Sequence, residues 1–317
     1  MTDTAAIHTV GFPSADLLAE RLADAGYLAS APTALAVWLA LSLNKPVLVE
    51  GPPGVGKTEL ARASAAVLGL PLIRLQCYEG LDESKALYEW KYGKQLLYVQ
   101  VLKEQLGDLL RGAKGLEESV ARLHQFGDIF YSEDFLEPRA LLSALRQENG
   151  CVLLIDEIDK ADAEFESFLL EILSDFQVTV PEIGTVAARS LPLVFLTSNN
   201  TRDLSDALRR RCLHLHIPFP EKVLEQRIVE ARVPDVPEAL RRQLVDFVHA
   251  LRELDLKKHP AVSETIDWAR TLLLLHADTL GADVVSRTLN VLLKHEDDIA
   301  SVRDELNTLL AGKPVRR

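Results

Sequence analysis

Residues Gly51, Pro52, Pro53, Gly54, Val55, Gly56, Lys57 and Thr58 carry the spacing G-x-x-x-x-G-K-T. They follow the apolar run Val47–Val49 and open a helix-favouring run from Glu59 to Leu68. In a strand, Gly-rich turn and helix of this kind the glycines let the backbone curl, so that several N–H groups face one anion. The helix adds its own unpaired N–H groups and the positive end of its dipole. Lys57 supplies a mobile charge for β- and γ-phosphates and Thr58 a hydroxyl for Mg2+. The alternative is a chance turn. The fixed positions should arise by chance in on the order of one in a hundred chains of this length, and the flanking strand and helix lower that further. Gly51–Glu59 is therefore the expected binding segment for a nucleotide.

Three further groups could act on a phosphate held there. Cys151–Asp156 is a continuous apolar run ending in the pair Asp156-Glu157. An acid at the carboxyl end of a buried strand sits where open α/β sheets bind ligands. Asp156 would hold Mg2+ through water, and Glu157 would orient and deprotonate an attacking water; the plain alternative is a solvated strand-end pair. Asn199 follows the run Leu193–Ser198 and could touch the γ-phosphate or position the water, although Asn is also a frequent turn former. Arg209, Arg210 and Arg211 end a short helix expected from Asp203. They point in different directions, so not all can serve one site. One could reach a neighbouring subunit's γ-phosphate, or the run could simply complement the helix dipole.

Alternating elements must position these groups. Helices are expected over 16–25 and 33–43, a buried strand over 46–50, the helix after the Gly-rich turn with Gly69 closing it, and a strand over 71–76. Continuous apolarity in 151–156, 193–197 and 213–217 suits strands covered on both faces, as in a parallel sheet. A helix over 161–175 lies between, and 177–187 alternates around Gly184 as a hairpin does. Between 77 and 149 the chain spends far more residues than one helix needs. A helix is expected to start at 82–88 and to continue over 135–147. Trp90–Tyr92 and Ile129–Tyr131 read as short paired strands, with Val99, Leu102, Leu106 and Leu109 at helical spacing between them and a loop at Gly112–Gly115. The stretch 90–131 is thus expected to project from the core as an insertion, or else to be a covered helix pair with no special role. After Pro218–Pro220 the pattern is helical only, over 221–232, 237–254, 263–280 and a broken 282–310.

Composition narrows the class. A chain of 317 residues with 48% hydrophobic and 26% charged residues can bury a full core and is expected to split in two. The net charge of −12 argues against broad nucleic-acid binding, which rests on neutralising phosphates with Lys and Arg. Cys77, Cys151 and Cys212 are far apart, lack metal-ligand spacing and have apolar neighbours, so they read as small buried hydrophobes in a reducing compartment. The first 14 residues show no secretory pattern. The longest apolar stretch, Ala34–Leu43, is too short to span a bilayer. A cytoplasmic location is expected.

The order GPPGVGKT, VLLIDE, LTSN, DALRRR and an all-helical tail resembles an AAA+ ATPase over roughly residues 15–300. Within that class, Leu72–Leu81 with Tyr88–Trp90 resembles the MoxR branch, in particular its CoxD-like members. The resemblance implies an α/β fold: a P-loop AAA+ core with a five-stranded parallel sheet over 1–218, and a C-terminal all-helical lid domain over 219–317. It makes Lys57 and Thr58 Walker A, Asp156 and Glu157 Walker B, Asn199 sensor 1, and Arg211 the arginine finger with Arg210 as alternative. It places the family's inserts at 90–131 and 178–187 and its adenine pocket at Tyr27 and Leu28. The chain departs from the pattern at sensor 2, where Val262-Ser-Glu264-Thr265 lacks the usual Arg; Arg270, about two turns on, is the candidate substitute.

The same resemblance implies Mg2+-dependent ATP hydrolysis in a homo-oligomeric ring, a hexamer being favoured. Its implied task is chaperone-like remodelling or maturation of a metalloenzyme client with a von Willebrand factor A protein as partner. The client implied for CoxD-like members is a molybdenum hydroxylase of the carbon monoxide dehydrogenase type. Three other readings compete: a DNA-directed AAA+ ATPase, a slow nucleotide-dependent assembly switch, and a small-molecule P-loop kinase. A salt-sensitive stimulation by DNA would single out the first, and unchanged basal hydrolysis on replacing Glu157 the second. The inserts and the large lid disfavour the kinase.

Overall fold

The computed structural model describes residues 12–101, 115, 133–181 and 183–310. Its strands are β1 (Val47–Glu50), β2 (Leu72–Gln76), β3 (Tyr88–Trp90), β4 (Leu136–Pro138), β5 (Val152–Asp156), β6 (Gln177–Val180), β7 (Gly184–Ala187), β8 (Leu193–Ser198) and β9 (Leu213–His216). Five of them form one parallel sheet in the order β2-β5-β8-β1-β9. The continuous apolar runs are explained by burial on both faces. Val47, Val49, Val152, Leu154 and Phe195 meet the helices Ala15–Asp24, Ala31–Leu43 and Lys57–Leu68. Their neighbours Leu48, Leu153, Ile155, Val194 and Leu196 meet the helices Ala140–Leu145 and Ala163–Asp175 on the other side.

Helix ends follow local chemistry. Ser14, Ser30, Asp82, Asp162 and Ser205 each cap a helix by accepting a backbone N–H. Gly69 closes the helix Lys57–Leu68 with φ 65°. The helix expected from Asp203 begins at Asp206, because Ser205 is the residue whose side chain caps it.

The 77–149 stretch departs from expectation. Trp90–Tyr92 is not a strand: β3 ends at Trp90 and pairs antiparallel with β4, Tyr88 opposite Pro138 and Trp90 opposite Leu136. That register buries Trp90, Phe135 and Leu136 against the sheet's core, and Tyr92 instead opens a helix running to Val101. A helix from Phe135 is also corrected. Pro138 lacks an N–H and holds its predecessor extended, so the chain stays extended over Leu136–Pro138 and turns helical only at Ala140. Leu102, Leu106, Leu109 and Ile129–Tyr131 lie outside the described residues, as does most of the 90–131 stretch. The hairpin around Gly184 is formed by β6 and β7.

From Lys222 to Leu310 the described chain is helical, in the spans Lys222–Arg232, Glu238–Arg252, Val262–Leu274, Ala282–Leu292 and Glu296–Leu310. Its apolar side chains gather around Phe247 and Trp268 in a cluster of their own, where the Trp268 indole donates to Thr288 Oγ1 at 2.8 Å. Cys77 and Cys151 are buried and Cys212 half-buried; all three are free, and burial pushes their thiols up to about 12. No helix among the described residues is long and apolar enough to cross a membrane.

Candidate functional site

A cavity of about 940 Å³ opens above the carboxyl ends of β1, β5 and β8, roofed by the C-terminal helices. Gly54, Val55, Gly56, Lys57, Thr58 and Glu59 line it along with Pro53, and Tyr27 and Leu28 close one side. Burial pushes the Tyr27 hydroxyl far above its ordinary range, with the charge of Glu59 adding to it. Gly51 and Pro52 do not line the cavity. Their carbonyl oxygens accept from Lys57 Nζ at 2.6 and 2.8 Å and aim it.

The loop's glycines are required by its geometry. Gly51, at φ +150°, passes so close to β9's end that a Cβ would lie 2.2 Å from the Ile217 carbonyl oxygen. At Gly54 (φ +76°) a Cβ would lie 2.5 Å from Ser263 Oγ and 2.6 Å from Ala261 Cβ, at the start of the helix Val262–Leu274. The phosphate loop and the roof therefore touch at a point where only glycine fits. Gly54→Ala is expected to weaken nucleotide binding at least about tenfold, by combining left-handed strain with a clash against the roof. Titration with a fluorescent ATP analogue checks it, and native affinity in the variant would remove this contact from the site.

Asp156 and Glu157 stand at the mouth of β5. Asp156, almost fully buried, accepts Thr58 Oγ1 at 3.1 Å and Thr197 Oγ1 at 2.5 Å on Oδ1. Its Oδ2 accepts Arg74 Nε at 3.0 Å and Nη2 at 2.5 Å. Glu157 takes the left-handed conformation (φ 58°, ψ 51°), and its N–H is satisfied by Thr197 Oγ1 at 2.9 Å. A non-glycine residue in that region costs on the order of 1 kcal/mol or more and is a feature of functional sites. The turn swings the Glu157 carboxylate into the cavity. There Gln76 Nε2 (2.9 Å) and Lys160 Nζ (2.6 Å) donate to Oε2, and Asn199 Nδ2 (3.3 Å) to Oε1.

Asn199 joins the two halves of the site. Its Oδ1 accepts Lys57 Nζ at 2.8 Å while its amide nitrogen faces Glu157. An ammonium only donates and a carboxylate only accepts, so this amide orientation alone satisfies both. Asp159 fixes the turn: its buried Oδ2 accepts the N–H groups of Asn199 (3.2 Å) and Thr201 (3.0 Å) and the Thr201 hydroxyl (2.6 Å). Burial pushes the Asp159 carboxyl up, but these hydrogen bonds outweigh it and hold it below its ordinary value. Burial lowers the Lys57 ammonium, against the opposing pull of Asp159, Asp156 and Glu157.

Oxygen donors of this kind suit magnesium. Among the described residues no group of three or more His, Cys, Asp or Glu could hold a metal by itself. Mg2+ keeps most of its waters and shares phosphate oxygens, so one hydroxyl and one carboxylate suffice. Thr58 and Asp156, in contact beside the glycine cradle, fit that demand.

Other expected groups are placed differently. Glu59 lines the cavity, but its carboxylate pairs with Arg232 of the helix Lys222–Arg232 at 2.6 Å. From the run that lacks the sensor 2 Arg, Val262 and Ser263 line the cavity; Arg270 lines it too, donating to Asp267 at 3.2 Å, and so does Arg227. Arg211 is exposed and away from its own chain's cavity, with Nε on Ser174 Oγ at 2.5 Å. Arg209 pairs with buried Glu50 at 3.0 Å. Arg210 is exposed, and among the described residues no hydrogen bond or ion pair holds it.

Residues 46–212 match the model of the AAA domain (dynein-related subfamily). An uncharacterized protein of Staphylococcus aureus is 25% identical over 73% of this chain and 76% of its own length. The denitrification regulatory protein NirQ of Stutzerimonas stutzeri is 26% identical over 69% of this chain and 68% of its own. Among solved structures, the Thermotoga maritima RuvB Holliday junction branch migration motor is 19% identical with a TM-score of 0.45, over 88% of this chain and 73% of that one.

Proposed function

The chain belongs to the AAA domain family, dynein-related subfamily, and is an ATPase; from that premise we propose that it hydrolyses ATP with Mg2+ at a site completed by a neighbouring subunit, and uses the cycle to remodel a protein client. The observation carrying this is the convergence of Lys57, Thr58, Asp156, Glu157 and Asn199 on one cavity roofed by the C-terminal helices. Lys57 and the loop N–H groups would hold the phosphates, Thr58 and Asp156 the metal, and Glu157 would take the proton of a water that Asn199 helps to place. When bound, Mg2+ would neutralise charge developing between the β- and γ-phosphates. The roof touches the loop at Gly54 and the loop's helix at Glu59, so 219–317 is read as a lid that moves with nucleotide state over the 1–218 core.

The outward-facing arginines support a shared site. Arg209 is committed to Glu50, which leaves Arg211 as the finger and Arg210 as its alternative. Arg211→Ala is expected to lower hydrolysis by about a hundredfold or more. Mixing it with Glu157→Gln subunits should restore part of the rate, since some interfaces then pair an intact Glu157 with an intact Arg211. No recovery on mixing would sink the shared site, and an unaffected Arg211→Ala would move the role to Arg210.

For the client, the resemblance of Leu72–Leu81 and Tyr88–Trp90 to CoxD-like MoxR proteins points to metal-cofactor assembly in a molybdenum hydroxylase with a von Willebrand factor A partner. The relative named as a denitrification regulatory protein is consistent with a regulatory task served by ATP turnover. Deleting the gene should leave such an enzyme synthesised but deficient in its metal centre, measured by metal content per polypeptide. A fully loaded enzyme in the deletion strain overturns this client. A salt-sensitive stimulation of ATPase activity by duplex DNA would redirect the reading to a DNA motor.

A further inference from the structure

We propose that Arg74 is a charge gate on the metal position, setting how strongly Mg2+ and nucleotide reinforce each other's binding; this rests on the nucleotide-site reading above. β2 is an edge strand, and its register places Gln76 beside Asp156. Arg74, two residues back on the same face, reaches along the strand with Nε and Nη2 both on Asp156 Oδ2. Thr197 occupies Oδ1, and the Thr58 hydroxyl lies between the two oxygens, 3.1 Å from Oδ1 and 3.3 Å from Oδ2. The oxygen that Thr197 leaves open, beside the Thr58 hydroxyl where a metal's water shell would sit, is thus the one that carries a guanidinium.

The two partners differ in freedom. The Asp156 side chain is 4% exposed and pinned by Thr197, whereas the Arg74 side chain is 49% exposed. The arginine is the half that can swing into solvent. Its other contact is also on the surface: Nη2 donates to Gln76 Oε1, and Gln76 in turn donates to Glu157. A positive charge within hydrogen-bond reach of Asp156 opposes a divalent cation at the same oxygen, and the opposition is strong because the carboxylate is shielded from water. Metal arrival and Arg74 release are therefore coupled.

The coupling has a measurable form. The ratio of nucleotide affinity in Mg2+ to that in EDTA reports how much metal and nucleotide favour each other. Any effect of Arg74 on the nucleotide alone cancels in this ratio. With a fluorescent ATP analogue and the full chain, Arg74→Gln should raise the ratio about tenfold over the native protein. Arg74→Met, which keeps the apolar stem, should do the same, and it stands in should the glutamine variant not fold. Arg74→Lys keeps the charge and should stay within about threefold of native. A ratio that is unchanged or lower in both neutral variants overturns the gate and leaves Arg74 a tether for the edge strand. Should the native protein bind the analogue in neither condition, the nucleotide-site reading itself fails; native binding with unaltered ratios in the variants sinks the gate alone.

Discussion

Glu157→Gln is expected to cut steady-state ATP hydrolysis at least about a hundredfold while nucleotide affinity stays within about threefold of native. Glutamine keeps the size of the side chain and an oxygen that can still accept from Gln76 and Lys160, which donate to Glu157 Oε2 at 2.9 and 2.6 Å. It loses the ability to take a proton. Because Lys57 and the Gly-rich loop are untouched by the substitution, binding and turnover should separate. The hydrolysis rate, measured on saturating ATP, reads the first effect, and a titration with a fluorescent analogue the second. A variant that hydrolyses ATP at the native rate would show that Glu157 is not the base, and would favour a protein whose nucleotide state sets assembly with little turnover. A variant that loses binding as well would make the carboxylate a structural support, held as it is by Gln76, Lys160 and Asn199.

What could be read from the chain beforehand was which groups meet within short stretches. Gly51–Thr58 and Asp156-Glu157 each sit on one turn, so their spacing alone carries the meaning. That Asn199 and not its neighbour Asn200 meets Lys57 and Glu157 has a local cause: Asn200 takes φ 58° and donates its N–H to Ser198 Oγ at 3.0 Å. The supporting residues were not legible, because they reach the acids across the sheet. Ile155 pairs with Leu196, so the next step along β5 and β8 sets Thr197 beside Asp156, and Gln76 pairs with Asp156 from β2. Polar residues at Arg74, Gln76, Thr197 and Ser198, set into or beside otherwise apolar strands, were the available signal; strand order was needed to use it. The antiparallel pair was misplaced for a related reason. Period-2 patterns do not fix register in a three-residue strand, and burial of Trp90 against Leu136 decided it.

Arg252→Met is expected to destabilise the helices beyond Lys222 by about 3–5 kcal/mol at neutral pH, the cost of leaving a buried charge without its partner. Glu225 is fully buried on the helix Lys222–Arg232. Arg252 grips it in a fork, Nη1 to Oε2 at 2.6 Å and Nη2 to Oε1 at 2.8 Å, while His249 (2.8 Å) and Thr265 (2.8 Å) complete the shell. Burial pushes the Glu225 carboxyl up, but the His249 and Arg252 hydrogen bonds, the Arg252 charge and the Thr265 hydroxyl outweigh it and hold it below the ordinary value. With its folded value depressed, its stabilisation is present above the unfolded carboxylate range and lost only as pH falls through the lower folded value. Without Arg252 burial dominates and the folded value rises, so protonation becomes favourable to the fold. The stability gap between native and variant, followed by denaturant unfolding, should therefore be widest at neutral pH and narrow towards pH 4. Adding Glu225→Gln to the variant should recover part of the loss by removing the stranded charge. A gap below about 1 kcal/mol, or one indifferent to pH, would mean that water reaches the cluster and the charges are screened. The cluster also has a place in the cycle. Arg252 lies over the Phe219 ring at 4.6 Å in the segment joining sheet to helices, and Thr265 belongs to the helix whose start touches Gly54. One buried carboxylate thus ties the connecting segment, three helices and the phosphate-loop contact into a unit, so the same variant should also weaken nucleotide binding by transmitting looseness to Gly54.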